Sequence, residues 1–178
     1  WGPLHIIVLL LVIGFIVASS ILLKNKSEKS KRIVLWVLVG ILLFLGIVRR
    51  CILLVKYAPT DFDKTLWILL PRPGCAISVW LVMFAPLINK KWFYNFSSII
   101  SILCAVIFFA YPGAGFLNKY ILFENLYSIV THSLFFVGSF LIVTLRLATF
   151  DYRNVKNELI CLGVLGVYTA LEMFVLTK

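Results

Sequence analysis

Residues Pro3–Leu23 read PLHIIVLLLVIGFIVASSILL, and Lys24–Arg32, directly after them, read KNKSEKSKR. The first stretch has the length, about 20 residues, that an α-helix needs to cross roughly 30 Å of hydrocarbon. The second is short, polar and basic, as the loops that set membrane topology are. An apolar run that lacks a basic leader region and a small-residue cleavage site reads as a retained span, not a signal peptide. The chain opens on Trp1 and not on Met, so its N-terminus reads as trimmed or processed.

The same alternation recurs along the chain. Further apolar runs cover about residues 33–55, 66–88, 93–111, 125–149 and 159–177, joined by short polar links. Of the 178 residues 62% are hydrophobic and 13% charged, with a mean hydropathy of +1.06. Soluble domains carry about a quarter charged residues, and no hydrophilic stretch here is long enough to fold alone. The expected fold is all-α: a polytopic membrane protein of six transmembrane helices in one bundle, a single domain over residues 1–178.

In a soluble protein a net charge of +10 would point to nucleic acid. Here the lysines and arginines gather in short loops, where they orient the chain and meet anionic headgroups. The expected partners are therefore membrane lipids and, for a subunit of a larger complex, other membrane proteins, with no nucleic acid. The loops after the first, third and fifth runs carry ten cations, from Lys24 to Lys156; the opposite links and tail carry four, Lys56, Lys64, Lys119 and Lys178. The basic side is cytoplasmic, which puts both termini outside. Cys51, Cys75, Cys104 and Cys161 form no C-x-x-C pair, so neither a zinc site nor a redox motif is indicated, and no metal or cofactor is expected. Cys51, Cys104 and Cys161 read as inert packing.

One stretch breaks the apolar pattern without being a loop. Leu70-Pro71-Arg72-Pro73-Gly74-Cys75 holds a cation, two prolines, a glycine and a thiol inside the third run. Cys75 is about ten residues into that run, or roughly 15 Å deep at 1.5 Å per residue. His132 is about eight residues into the fifth run, entering from the same side, or roughly 12 Å deep. Arg49 and Arg50 fall in the outer third of the second run and Glu172 in that of the sixth; His5 and Arg72 share the outer half. Ionisable groups at such depth mark the bundle interior or a water-filled cavity. A cysteine with a nearby histidine is the pairing of a thiol nucleophile with its base. Arg50 or Arg72 suits a lipid phosphate, and Glu172 suits an imidazole or Arg50 as partner.

These residues resemble a known family. Trp1-Gly2-Pro3-Leu4-His5 opening the first run, Leu70-Pro71-x-x-x-Cys75, and Thr131-His132-Ser133 after Pro112 are similar to the YwaF-type integral membrane proteins. Those in turn are similar to transmembrane protein 164, a lipid acyltransferase that uses a cysteine and a histidine. The separation of Cys75 and His132, 57 residues, is close to that family's spacing. The resemblance implies that Cys75 takes an acyl group as a thioester and His132 acts as base. His5 would match a histidine near the family's first span, and the setting would be a bacterial cell membrane. This chain departs from the family in having Arg72-Pro73-Gly74 before the cysteine and Arg49-Arg50 in the second run, and a further span is expected after the sixth. The leading expectation is thus an outward-facing, lipid-binding pocket with Cys/His acyl transfer. The alternative is a non-catalytic membrane subunit whose polar cluster holds a lipid or a partner helix.

Overall fold

The computed structural model describes residues 2–57, 75–111, 116, 123–149 and 151–176, without the side chains of residues 173, 175 and 176. Arg72, with the rest of Leu70–Gly74, lies outside the described residues, as do Trp1 and the Pro112–Gly115 break.

Among the described residues, all regular structure is helical: α1 (Pro3–Leu23), α2 (Glu28–Tyr57), α3 (Cys75–Ile88), α4 (Lys91–Ala110), α5 (Phe123–Thr144), a 3-10 turn (Tyr152–Asn154) and α6 (Val155–Leu176). The helices α1, α2, α4 and α5 are each long and apolar enough to cross a membrane; the described part of α3 is 14 residues. With no water to satisfy the backbone inside a bilayer, helices are the form that such runs must take.

Three helices depart from their expected bounds by four residues or more: α6 starts at Val155, after the 3-10 turn in which Asp151 Oδ1 accepts from the Arg153 N–H, and α2 and α5 depart for equally local reasons. α2 starts at Glu28, inside the stretch expected to be a basic loop. The Ser27 hydroxyl accepts from the Ser30 N–H at 3.2 Å, a cap that satisfies one of the free amides of the first turn. Lys31 reaches back to Glu28 at 2.9 Å across one turn. α5 stops at Thr144 although apolar residues continue to Ala148. Arg146 takes a left-handed φ of 59°, and the Leu147 and Ala148 N–H groups fold back onto the Ile142 carbonyl. Leu145, Leu147 and Ala148 are buried, so these apolar residues belong to a packed turn and not to another turn of helix.

The centre of the bundle is α4, packed between α3 and α5, with α2 and α1 lying against α5. Its core includes Val82 and Met83 of α3, Ala105, Phe108 and Phe109 of α4, and Phe135, Phe136 and Leu141 of α5. α1 is apolar on its exposed face as well, with Leu10, Leu11, Ile21 and Leu22 uncovered, as expected of a helix whose outer surface meets lipid.

Side-chain contacts define the two ends of the bundle. At one end the Ser20 hydroxyl donates to Thr144 Oγ1 at 2.9 Å, so α1 and α5 finish together. At the same end Asn95, at the start of α4, donates through Nδ2 to the Thr149 carbonyl and to Glu158 Oε1, tying α4 to the turn after α5 and to the start of α6. At the far end Arg49 of α2 meets Glu124 of α5. This is the end to which the start of α3, the end of α4 and the start of α5 all come.

Close approach at Gly138 holds α3 against α5. A Cβ built there would lie 3.1 Å from Val82 Cγ1, tighter than ordinary contact. Gly138→Val should therefore overpack the interface and destabilise the protein by about 1–3 kcal/mol. Thermal unfolding in detergent should show the loss, with partial recovery in Gly138→Val/Val82→Ala.

Candidate functional site

Cys75 opens the described part of α3, half-buried against α4, and its Sγ lies 3.8 Å from the Cys104 carbonyl. The local sequence explains this register. Cys75-Ala-Ile-Ser78 on α3 runs antiparallel to Ser101-Ile-Leu-Cys104 on α4, and the Ser101 hydroxyl donates to the Ser78 carbonyl at 3.2 Å. Small residues at matched three-residue spacings let the two helices approach, and Cys75 then falls opposite Cys104.

His132, on α5, meets α4 one turn further along. Its ring stacks on Phe108 with centroids 3.7 Å apart and planes 13° from parallel, and it is tilted against Phe135 at 5.0 Å. Phe108 is four residues beyond Cys104, hence its neighbour one turn along the same helical face. The thiol and the imidazole thus dock on adjacent turns of a single helix. No hydrogen bond joins them among the described residues.

The tautomer of His132 follows from its backbone partner. Nδ1 lies 2.6 Å from the carbonyl oxygen of Ser128, one turn back on α5, and 3.3 Å from the Ser128 hydroxyl. A carbonyl can only accept, so Nδ1 carries the hydrogen and donates it. In the neutral ring, Nε2 then holds the lone pair. That is the nitrogen available to take a proton.

His5 belongs to the same neighbourhood. It is fully buried, 4.5 Å from the Phe116 ring and stacked at 6.4 Å on Phe109. Phe116 also lies 5.9 Å from Phe108. The two histidines of the chain therefore flank one aromatic cluster built from α1, α4, α5 and Phe116.

The arginines divide their roles. Arg49 donates through Nε to Glu124 at 3.0 Å and lies over the Tyr127 ring at 5.0 Å. Arg50 donates to the Gly46 carbonyl at 3.3 Å and lies over Trp80 of α3 at 5.1 Å. Arg50, proposed from sequence for a lipid phosphate, is thus carried towards α3, while the ion pair between helices at this end is the unforeseen Arg49–Glu124. Glu172 is buried near the end of α6. Arg72 lies outside the described residues. A cleft lined by Phe96, Ile100, Glu158 and Leu162 opens between α4 and α6, at the opposite end of the bundle.

Cys75 and His132 thus each pack against α4, at Cys104 and at Phe108. A model of the TMEM164 family matches residues 1–175. The chain belongs to the TMEM164 family. The resemblance drawn from Leu-Pro-x-x-x-Cys and Thr-His-Ser is therefore correct, and it extends over nearly the whole chain. No curated protein and no solved structure matches.

Several neighbours of the candidate residues in this TMEM164-family chain escaped the sequence reading: Cys104, Phe108, Ser128, Trp80 and the Arg49–Glu124 pair. The mirrored spacing of C-x-x-S in residues 75–78 and S-x-x-C in residues 101–104 was the available signal for Cys104. Nothing in the apolar run around Phe108 distinguishes it from its neighbours.

Two measurements test this geometry. Nitrogen-15 solid-state NMR of histidine-labelled protein at neutral pH should show His132 hydrogenated at Nδ1 and bare at Nε2, with a His5→Gln variant providing the assignment. The reverse tautomer would contradict the bond to Ser128. A double-mutant cycle on Arg49→Gln and Glu124→Gln should give a coupling below about 1 kcal/mol, because the pair is solvent- or headgroup-exposed.

Proposed function

We propose that this membrane protein binds a lipid ester at the Cys75 end of its bundle and transfers the acyl chain through a thioester on Cys75. The observation that carries the reading is the docking of Cys75 and His132 on adjacent turns of α4, with His132 Nε2 left as the basic nitrogen. Membership of the TMEM164 family agrees with it.

The chemistry divides into two displacements. His132 Nε2 takes the thiol proton, and the Cys75 thiolate attacks the acyl carbonyl. The tetrahedral intermediate collapses, the ester C–O bond breaks, and the leaving alkoxide recovers a proton from the imidazolium. In the second half an acceptor hydroxyl gives its proton to Nε2 and attacks the thioester, and the departing thiolate is reprotonated. The hydrogen bond from Nδ1 to Ser128 keeps the ring in the orientation that both halves need. Arg50, held over Trp80, supplies a cation for a phosphate at the same end, and His5 lines the aromatic wall behind His132. On the loop-charge reading this end faces outwards.

Intact-protein mass spectrometry after purification from native membrane tests the proposal. Cys75 should carry an acyl mass that hydroxylamine removes, and Cys75→Ala should lose it. His132→Ala should slow both halves, reducing the rate at which the adduct forms and clears by about 10²–10⁴-fold. If no adduct is ever trapped and Cys75→Ala leaves membrane lipid composition unchanged, the chain is a non-catalytic subunit instead.

A further inference from the structure

The mechanism above uses one thiol, yet the fold brings two together. The α3–α4 register set by Ser101 and Ser78 puts Cys104 directly across from Cys75, with Cys75 Sγ 3.8 Å from the Cys104 carbonyl. Both cysteines are reduced and half-buried in this structure. Cys51 and Cys161 lie elsewhere, on α2 and α6, with no such neighbour among the described residues. A disulfide needs Cβ atoms about 3.5–4.5 Å apart and side chains that point at each other. The contact of Cys75 Sγ with the Cys104 backbone puts the two residues on facing helix surfaces, and the neighbouring Ser101–Ser78 bond joins the helices where no large side chain separates their backbones.

We propose that Cys75 and Cys104 form a reversible disulfide, a modification site that takes the Cys75 sulfur out of reach of any acyl carbonyl. The oxidant class is a small apolar disulfide, RSSR, able to enter the bundle from the lipid side. The Cys75 thiolate, its proton passed to His132, attacks one sulfur of RSSR, breaking the S–S bond and releasing RSH once the leaving thiolate is protonated. The product is a mixed disulfide on Cys75. The Cys104 thiolate then attacks the Cys75 sulfur, releases the second RSH and closes the bridge. Two protein thiols and one RSSR thus give one protein disulfide and two RSH, and a dithiol reverses both steps. The same base that serves Cys75 in acyl transfer makes it the sulfur that attacks first. On the loop-charge reading the pair lies towards the outer face, where disulfides persist.

The regulatory consequence rests on the acyl-transfer reading; the bridge itself does not. The test uses the full chain as Cys51→Ser/Cys161→Ser, which keeps the pair and alters neither helix that holds it. Treated with dithiodipyridine in detergent, this variant should release two thiopyridones per chain. Its intact mass should fall by two hydrogens, with no pyridyl group attached. Adding Cys104→Ser should arrest the reaction at a pyridyl mixed disulfide on Cys75, which also shows that Cys75 remains reachable in that variant. The proposal is overturned if Cys51→Ser/Cys161→Ser ends with pyridyl groups on both cysteines, or with both thiols free. Where the bridge forms, the hydroxylamine-sensitive acyl mass should be absent from the oxidised protein and return after dithiothreitol. An acyl mass that persists on the bridged protein overturns the regulatory part. A protein that bridges but never acquires an acyl mass in its reduced form overturns the acyl-transfer reading and leaves the disulfide assignment standing.

Discussion

Ser101 gives its hydroxyl hydrogen to the Ser78 carbonyl, and much of the site depends on the register this sets between α3 and α4. Inside a bilayer, apolar burial does not drive helices together, since lipid tails solvate leucine as well as another helix does. What remains is close packing at small residues and hydrogen bonds between helices. Sliding α3 by one residue on α4 would break the serine contact and rotate Cys75 away from Cys104 by about 100°, the turn per residue of a 3.6-residue helix. On the other flank, the closeness of Gly138 to Val82 performs the same service for α3 and α5. The thiol and the imidazole are positioned by residues that carry no chemistry themselves.

The bundle is polar at both ends, but in different ways. At the end of the basic loops, Asn95 bonds the Thr149 carbonyl and Glu158, and the serine–threonine pair of α1 and α5 closes beside it. Those contacts use Asn95 Nδ2 and two hydroxyls to tie helix ends together. At the other end are a thiol, two imidazoles and two guanidiniums set among aromatic rings, with the Glu124 carboxylate paired to Arg49 and Glu172 buried near the end of α6. The ring faces serve here as a scaffold for cations and imidazoles, placing polar heads without requiring a polar wall. The chemically versatile residues are thus gathered at one end.

How much of this was legible from sequence depends on the kind of contact. Apolar run length located α1 to the residue, because nothing competes with lipid solvation there. It failed by several residues at Glu28 and Thr144, where a serine cap and a left-handed arginine decide the boundary and apolarity is silent. Depth counting works from rise per residue and helix direction alone, which is how His5, Arg50, Arg72, Cys75, His132 and Glu172 came to share one layer in the sequence reading. It could not say which face of each helix they occupy. Cys104 was therefore read as packing although it lies against the thiol. Arg49, beside Arg50 in sequence, took the carboxylate of Glu124, a residue counted as part of a link. Partner choice depends on rotation about the helix axis, and an apolar run without a polar stripe carries no record of it.

The orientation of His132 shows what this environment favours. In water-filled active sites the second ring nitrogen is often held by a carboxylate, which also stabilises the imidazolium formed during reaction. A carboxylate at this depth would bring a second charge into a region where each charge is costly. The Ser128 carbonyl supplies the orientation without the charge, and as part of the backbone it is held by α5 itself. The cost falls on the protonated state, which receives a dipole where a carboxylate would have given a full counter-charge. On the acyl-transfer proposal, a base so placed suits proton transfers that are brief, in which the Cys75 thiolate would be the counter-charge. That matches a thiol–imidazole pair docked on adjacent turns of one helix better than it matches a histidine kept permanently charged.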